Sequence, residues 1–125
     1  MYVKLVSATE ERTVATPAAV MVGLAAPSQG SNEVSTWRVN LPTGKSSPSH
    51  TIDRDQVWMP VKGSFTFTAE DQTSTVTVGE ALVVPGGVVR EFTTGDGDAE
   101  ALVAMLPDGN AITGTGDKLP VPWAQ

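Results

Sequence analysis

Gly44-Lys45-Ser46-Ser47-Pro48-Ser49-His50-Thr51-Ile52-Asp53-Arg54-Asp55-Gln56-Val57-Trp58-Met59-Pro60-Val61-Lys62-Gly63 is the stretch on which the fold of this chain turns. Five residues separate Gly44 from His50, one separates His50 from Ile52, three separate Ile52 from Gln56, and six separate Gln56 from Gly63. A second run, Gly79-Glu80-Ala81-Leu82-Val83-Val84-Pro85-Gly86-Gly87-Val88-Val89-Arg90, has the same character. In both, glycines stand where a hairpin must close, and Pro85-Gly86-Gly87 turns the chain from one strand into the next. His50 follows a turn and leads into a strand, and Gln56 to Val61 forms the next strand.

Outward from these runs the pattern is the same. Period-two segments rich in Val, Thr, Phe and Trp recur between Gly, Pro, Asp and Asn punctuation, and helical periodicity is nearly absent. Strands are expected over Val34 to Leu41, Gln56 to Val61, Ser64 to Thr68, Ser74 to Val78, Ala81 to Val84, Val89 to Thr93 and Glu100 to Leu106. Many short strands joined by tight turns favour an all-β barrel or double-sheet jelly roll, in which closure removes sticky edges. Residues 7–33 are expected to add one or two edge strands. Residues 111–125 carry prolines at 120 and 122 and read as an extended C-terminal arm.

The 125 residues fit one domain, 1–125, with its core over about 34–106. Fourteen acidic residues against eight basic ones give a net charge of -6, and no basic run is present to track a phosphate backbone. Nucleic acid is therefore not expected as a partner. The absence of cysteine excludes disulfides, thiolate metal sites and cysteine nucleophiles. The longest mostly apolar stretch, Ala18 to Pro27, is about half of what a membrane span needs, so no membrane partner and a cytoplasmic location are expected.

The two runs resemble the motifs of the cupin superfamily, and the fifteen residues from Ser64 to Val78 between them match the short separation of small bacterial single-domain cupins. The resemblance covers roughly Val34 to Leu106 and implies a double-stranded jelly roll, commonly a homodimer. In cupins the first motif supplies two histidines and a glutamate to a metal, and the second another histidine. Carried over by position, those ligands fall on His50, Ile52, Gln56 and Arg90. Only His50 keeps its type. Gln56 retains an amide oxygen, Ile52 has no lone pair, and a guanidinium repels a divalent cation. No metal and no cofactor are expected, and the iron or manganese dioxygenase chemistry of the family does not carry over.

His50, the sole histidine, is the side chain suited to moving a proton near neutral pH. Arg90 would stabilise an oxyanion, or else form a buried ion pair with Glu91, Asp53 or Asp55. Gln56 would orient a ligand carbonyl or hold the His50 tautomer, or simply be a polar residue satisfied by backbone. Trp58 and Trp37 are flat apolar walls, with plain core packing as the blander reading. Ile52, Phe92 and Met105 are further candidates for the wall, while Phe65, Phe67 and Phe92 all suit the core. Arg38 is opposite in phase to Trp37 and faces either cavity or water. Asp53 or Asp55 would polarise His50, or else both are solvated turn residues. These readings favour a cofactor-free enzyme acting on a small molecule with a carbonyl or acid group, by isomerisation, elimination, dehydration or cyclisation. A non-catalytic binder of an acid or sugar is the first alternative, and a metal-dependent dioxygenase-like protein with atypical ligands the second.

Overall fold

The computed structural model describes residues 3–125 as two six-stranded antiparallel sheets facing each other. The strands are β1 (Thr13–Ala15), β2 (Val20–Gly23), β3 (Ser35–Leu41), β4 (His50–Ile52), β5 (Gln56–Lys62), β6 (Ser64–Ala69), β7 (Gln72–Thr77), β8 (Leu82–Val84), β9 (Val89–Thr94), β10 (Ala99–Met105), β11 (Asn110–Ile112) and β12 (Lys118–Pro120). The first sheet runs β1-β2-β3-β10-β5-β8 and the second β12-β11-β4-β9-β6-β7. This is the all-β jelly roll expected from the alternation of the sequence. All seven anticipated strands are present to within two residues at either end.

Alternation decides which side chains meet inside. In β3 the residues Ser35, Trp37, Val39 and Leu41 are buried, and in β10 so are Ala99, Ala101, Val103 and Met105. β10 pairs with β3 on one side and β5 on the other, which lays Trp37, Val103 and Trp58 in one row and Ser35, Met105 and Gln56 in the next. Small or narrow residues of β10 separate the two tryptophans, so both rings stand on the inner face of the first sheet. Arg38 has the opposite phase and is exposed. It points to water, not into the cavity, because a strand cannot show consecutive residues to one face.

The strands missed from the sequence are the short ones. β11 and β12 have three residues each, too few to display a period. β12 contains Pro120 and lies at the edge of its sheet, where a missing N–H costs no ladder bond. Residues 7–33 supply β1 at an edge of the other sheet and β2 inside it. The C-terminal segment folds back over its own barrel: Val121 and Ala124 are buried, and the Ser35 hydroxyl donates to the Ala124 carbonyl at 2.6 Å.

The two motif regions are stitched together by backbone. Gly87 N–H donates to Ile52 O at 2.8 Å, and Gly86 N–H donates to the Asp55 carboxylate at 2.9 Å. Gly63 closes the β5–β6 hairpin at φ +67°, and a Cβ there would stand 2.5 Å from the Asp98 carbonyl oxygen. Gly44 also has positive φ, +75°, but open space around it. Gly63→Ala is therefore expected to lower unfolding stability by about 2–4 kcal/mol and Gly44→Ala by only about 1 kcal/mol, a difference that urea denaturation resolves.

Candidate functional site

The barrel is solid at one end and hollow at the other. Trp58, Phe65, Phe67 and Phe92 pack with ring centroids 5.0 to 6.4 Å apart in edge-on and tilted arrangements. Beyond them a cavity of about 660 Å³ opens, within the range of sites that enclose small organic ligands. Trp58 and Phe92 form its boundary with the packed end. Trp37 and Ile52 add apolar wall, the β1–β2 loop contributes Thr16 to Ala19, and Leu119 to Trp123 cover the remaining side. That last contribution, with Trp123 in it, carried no motif signal; an aromatic residue among prolines was its sole trace in the sequence.

His50 reaches the cavity from β4. Its Nδ1 lies 2.9 Å from the Pro48 carbonyl oxygen, which can only accept, so Nδ1 carries the proton and neutral His50 keeps its lone pair on Nε2. Nε2 has no partner among the described residues. Burial pulls the imidazole below its ordinary value, the Pro48 hydrogen bond opposes this, and the charge of Arg90, its cross-strand neighbour, adds to the lowering. A neutral ring is the resting form at pH 7. The orienting group is thus a backbone carbonyl two residues upstream. Neither aspartate takes that role: Asp53 accepts from Asn110 N–H at 2.6 Å and pairs with Lys118 at 3.5 Å, while Asp55 holds the Gly86 amide.

Arg90 is buried but does not line the cavity. Its Nε donates to Val88 O at 2.8 Å, one Nη to Pro85 O at 2.9 Å, and the other lies 3.5 Å from Gln56 Oε1. No carboxylate pairs with it among the described residues: Glu91 accepts from Ser49, and the two aspartates are engaged as above. The expected ion pair is therefore replaced by carbonyl dipoles, and the expected direct contact with a ligand by a place behind the wall. Burial lowers the guanidinium to about 10, which leaves it cationic at neutral pH.

Gln56 stands between these groups. Its Oε1 takes the Trp58 indole N–H at 3.2 Å as well as the Arg90 contact, and its Nε2 meets the Met105 sulfur at 3.6 Å. Two donors converging on one end of the amide fix its orientation, so the Gln56 oxygen is spent on the protein and does not hold the His50 tautomer, while the side chain also borders the cavity. Met105 sits behind Gln56 and away from the cavity surface, whereas Trp58, Trp37, Ile52 and Phe92 do line it.

These residues do not fit a divalent cation. His50 offers one nitrogen, Ile52 none, and the Gln56 oxygen faces a guanidinium. No group of three or more His, Cys, Asp or Glu side chains comes together among the described residues. No helix among them is long and apolar enough to cross a membrane.

A family model described as a cupin domain matches residues 37–105, more than half of the chain. Among solved structures, the polyketide cyclase RemF from Streptomyces resistomycificus superposes with a TM-score of 0.69 at 21% identity, over 85% of this chain and 80% of that one. An RmlC-like cupin with a double-stranded β-helix fold from Methanocaldococcus jannaschii gives 0.67 at 21% identity, over 85% and 92%. KdgF from a Halomonas species gives 0.65 at 19% identity, over 75% and 84%. At these identities the likeness is one of fold. A comparison with curated proteins gave no match.

Two measurements check the site. Gln56→Leu removes the acceptor that two buried donors share and is expected to cost about 1–3 kcal/mol in urea denaturation, while Gln56→Glu, which keeps the acceptor and adds a partner for Arg90, costs less. Because folded His50 binds a proton less readily than the unfolded chain, whose value is near 6.5, acidification favours unfolding. Stability supplied by this group is intact above about 6.5 and falls as pH drops toward the folded value, a slope that thermal melts of His50→Gln should lack.

Proposed function

This chain belongs to the cupin domain family, matched over residues 37–105, and from that premise we propose that it is a metal-independent enzyme that relocates a proton on a small, largely apolar organic molecule. The observation that carries the reading is His50: a neutral imidazole whose tautomer is fixed by Pro48 and whose basic Nε2, without a partner among the described residues, stands beside a largely apolar cavity. Nε2 takes a proton from carbon or oxygen of the bound molecule and returns it at another position. Isomerisation, elimination, dehydration and cyclisation need no more than this. Trp37 and Trp58 exclude water from the step. Arg90 acts through its field, from behind the wall, and favours negative charge developing in the cavity without touching it. Gln56 is a positioning residue that holds Trp58 and Arg90. One structural neighbour, RemF, is a polyketide cyclase, and cyclisation is among the reactions this arrangement serves. The homodimer implied by the family resemblance is part of the proposal and is checked by light scattering.

The test uses a probe whose proton movement is visible. 2-Tetralone, a flat bicyclic ketone with acidic α-hydrogens, is incubated with the protein in D2O, and loss of its C1 proton signal is followed by NMR. Exchange is expected to run faster than in buffer and to drop about a hundredfold in His50→Ala. Binding of the ketone without acceleration would establish the non-catalytic binding protein in place of the enzyme.

A further inference from the structure

We infer that the indole N–H of Trp37 is a hydrogen-bond donor to the ligand of this cavity, and that the cavity, which no Lys or Arg lines, takes neutral conjugated ketones or enols in preference to carboxylates. The inference rests on the proposed function only in placing the ligand in this cavity.

Trp37 is 2% exposed and lines the cavity, and its Nε1 has no acceptor among the described residues. Among the described residues every fully sealed side-chain nitrogen or oxygen does have a partner. The Trp37 nitrogen is therefore not sealed, and for a residue buried to this degree the cavity is where it opens. A donor in that position, surrounded by apolar wall, gains most from an acceptor carried by the ligand. Trp58 differs, because its N–H is already given to Gln56. Thr16 Oγ1 makes both of its contacts to Ala19. The Ser47 hydroxyl accepts from Phe92 N–H at 3.0 Å and keeps its own proton, and the half-buried Trp123 also lines the cavity, but Trp37 is the more deeply buried of the two tryptophans with an unengaged N–H.

Trp37 stands on β3 of the first sheet and His50 on β4 of the second, so donor and base belong to facing walls, which in stacked sheets lie about 10 Å apart. A ligand joining them carries a carbonyl oxygen for Trp37 and an acidic C–H or O–H for His50, linked by a conjugated, flat framework. When His50 takes the proton, the electron pair it leaves moves through that framework onto the carbonyl oxygen. The enolate oxygen so formed is a stronger acceptor than the ketone, so the Trp37 bond tightens as the charge develops. Carboxylates are disfavoured because no Lys or Arg lines the cavity and the nearby guanidinium is already held by protein oxygens. Burying an anion there would leave it without a cation in contact.

The probes are 2-acetonaphthone, 2-ethylnaphthalene and 2-naphthoate, which share one ring system and differ in the acceptor. In Trp37→Phe, affinity for 2-acetonaphthone is expected to fall about three- to tenfold by calorimetry, the worth of one neutral hydrogen bond, with 2-ethylnaphthalene unchanged. In the wild-type protein labelled with ¹⁵N at the indoles, the Trp37 N–H signal should move downfield with the ketone and not with the hydrocarbon, a readout that stands even if the variant does not fold. An unmoved Trp37 signal under saturating ketone, or 2-naphthoate binding more tightly than 2-acetonaphthone, would overturn the inference. His50→Ala separates the two proposals: loss of α-proton exchange with ketone affinity retained leaves the Trp37 assignment standing. Exchange unaffected by His50→Ala, with the Trp37 shift present, removes the role of His50 alone.

Discussion

A guanidinium buried without a carboxylate organises this protein. Taking a cation out of water is costly, and here the cost is met by oriented carbonyls of Pro85 and Val88 and by the amide of Gln56. Those partners come from the turn before β9 and from the first residue of β5, so Arg90 ties the second motif to the first. The same ties run onward. Gln56, fixed by Arg90, accepts the Trp58 indole, and Trp58 anchors the aromatic end of the barrel. On the other side its charge adds to the burial that keeps its cross-strand neighbour His50 neutral. In the proposed reading structure and chemistry thus share one cation, which stands behind the cavity wall.

The barrel divides labour along its length. Aromatic packing around Trp58, Phe65, Phe67 and Phe92 fixes the second sheet against the first at one end. At the other end the walls are held apart by loops and by the C-terminal segment, and the interior stays open. Precise placement of His50 relative to Trp37 follows from this division, because strands anchored at a rigid end are stiff where they border the hollow one.

The architecture was legible because it rests on signals that sequence carries directly: alternation along strands, and glycines at positions where the backbone turns left-handed. Gly63 and the Pro85-Gly86-Gly87 turn stand where the hairpins demand them. Direction within the barrel was less legible. Arg90 is inward-facing, as its motif position implies, yet position cannot say whether a long side chain will reach into space or curl onto carbonyls two and five residues upstream. Arg38 was undetermined only because phase alone does not say which face is inner; its neighbours in β3 settle that it is outer. The aspartates flanking Arg54 proved to be loop fasteners, a role that depends on Asn110 and Gly86 arriving from far along the chain. Closure by residues 119–123 was invisible for the same reason, since it depends on long-range packing and not on any local period.

A half-hollow barrel also has a mechanical signature. Unfolding abolishes internal void, so the unfolded chain with its water occupies less volume than the native one, and the difference grows with the space left open inside. Hydrostatic compression should act on this molecule unevenly, yielding first around β4, β11 and β12 where the interior is empty, while the aromatic end resists. A bound guest that fills the space would remove that weakness, making compressibility a property governed by occupancy.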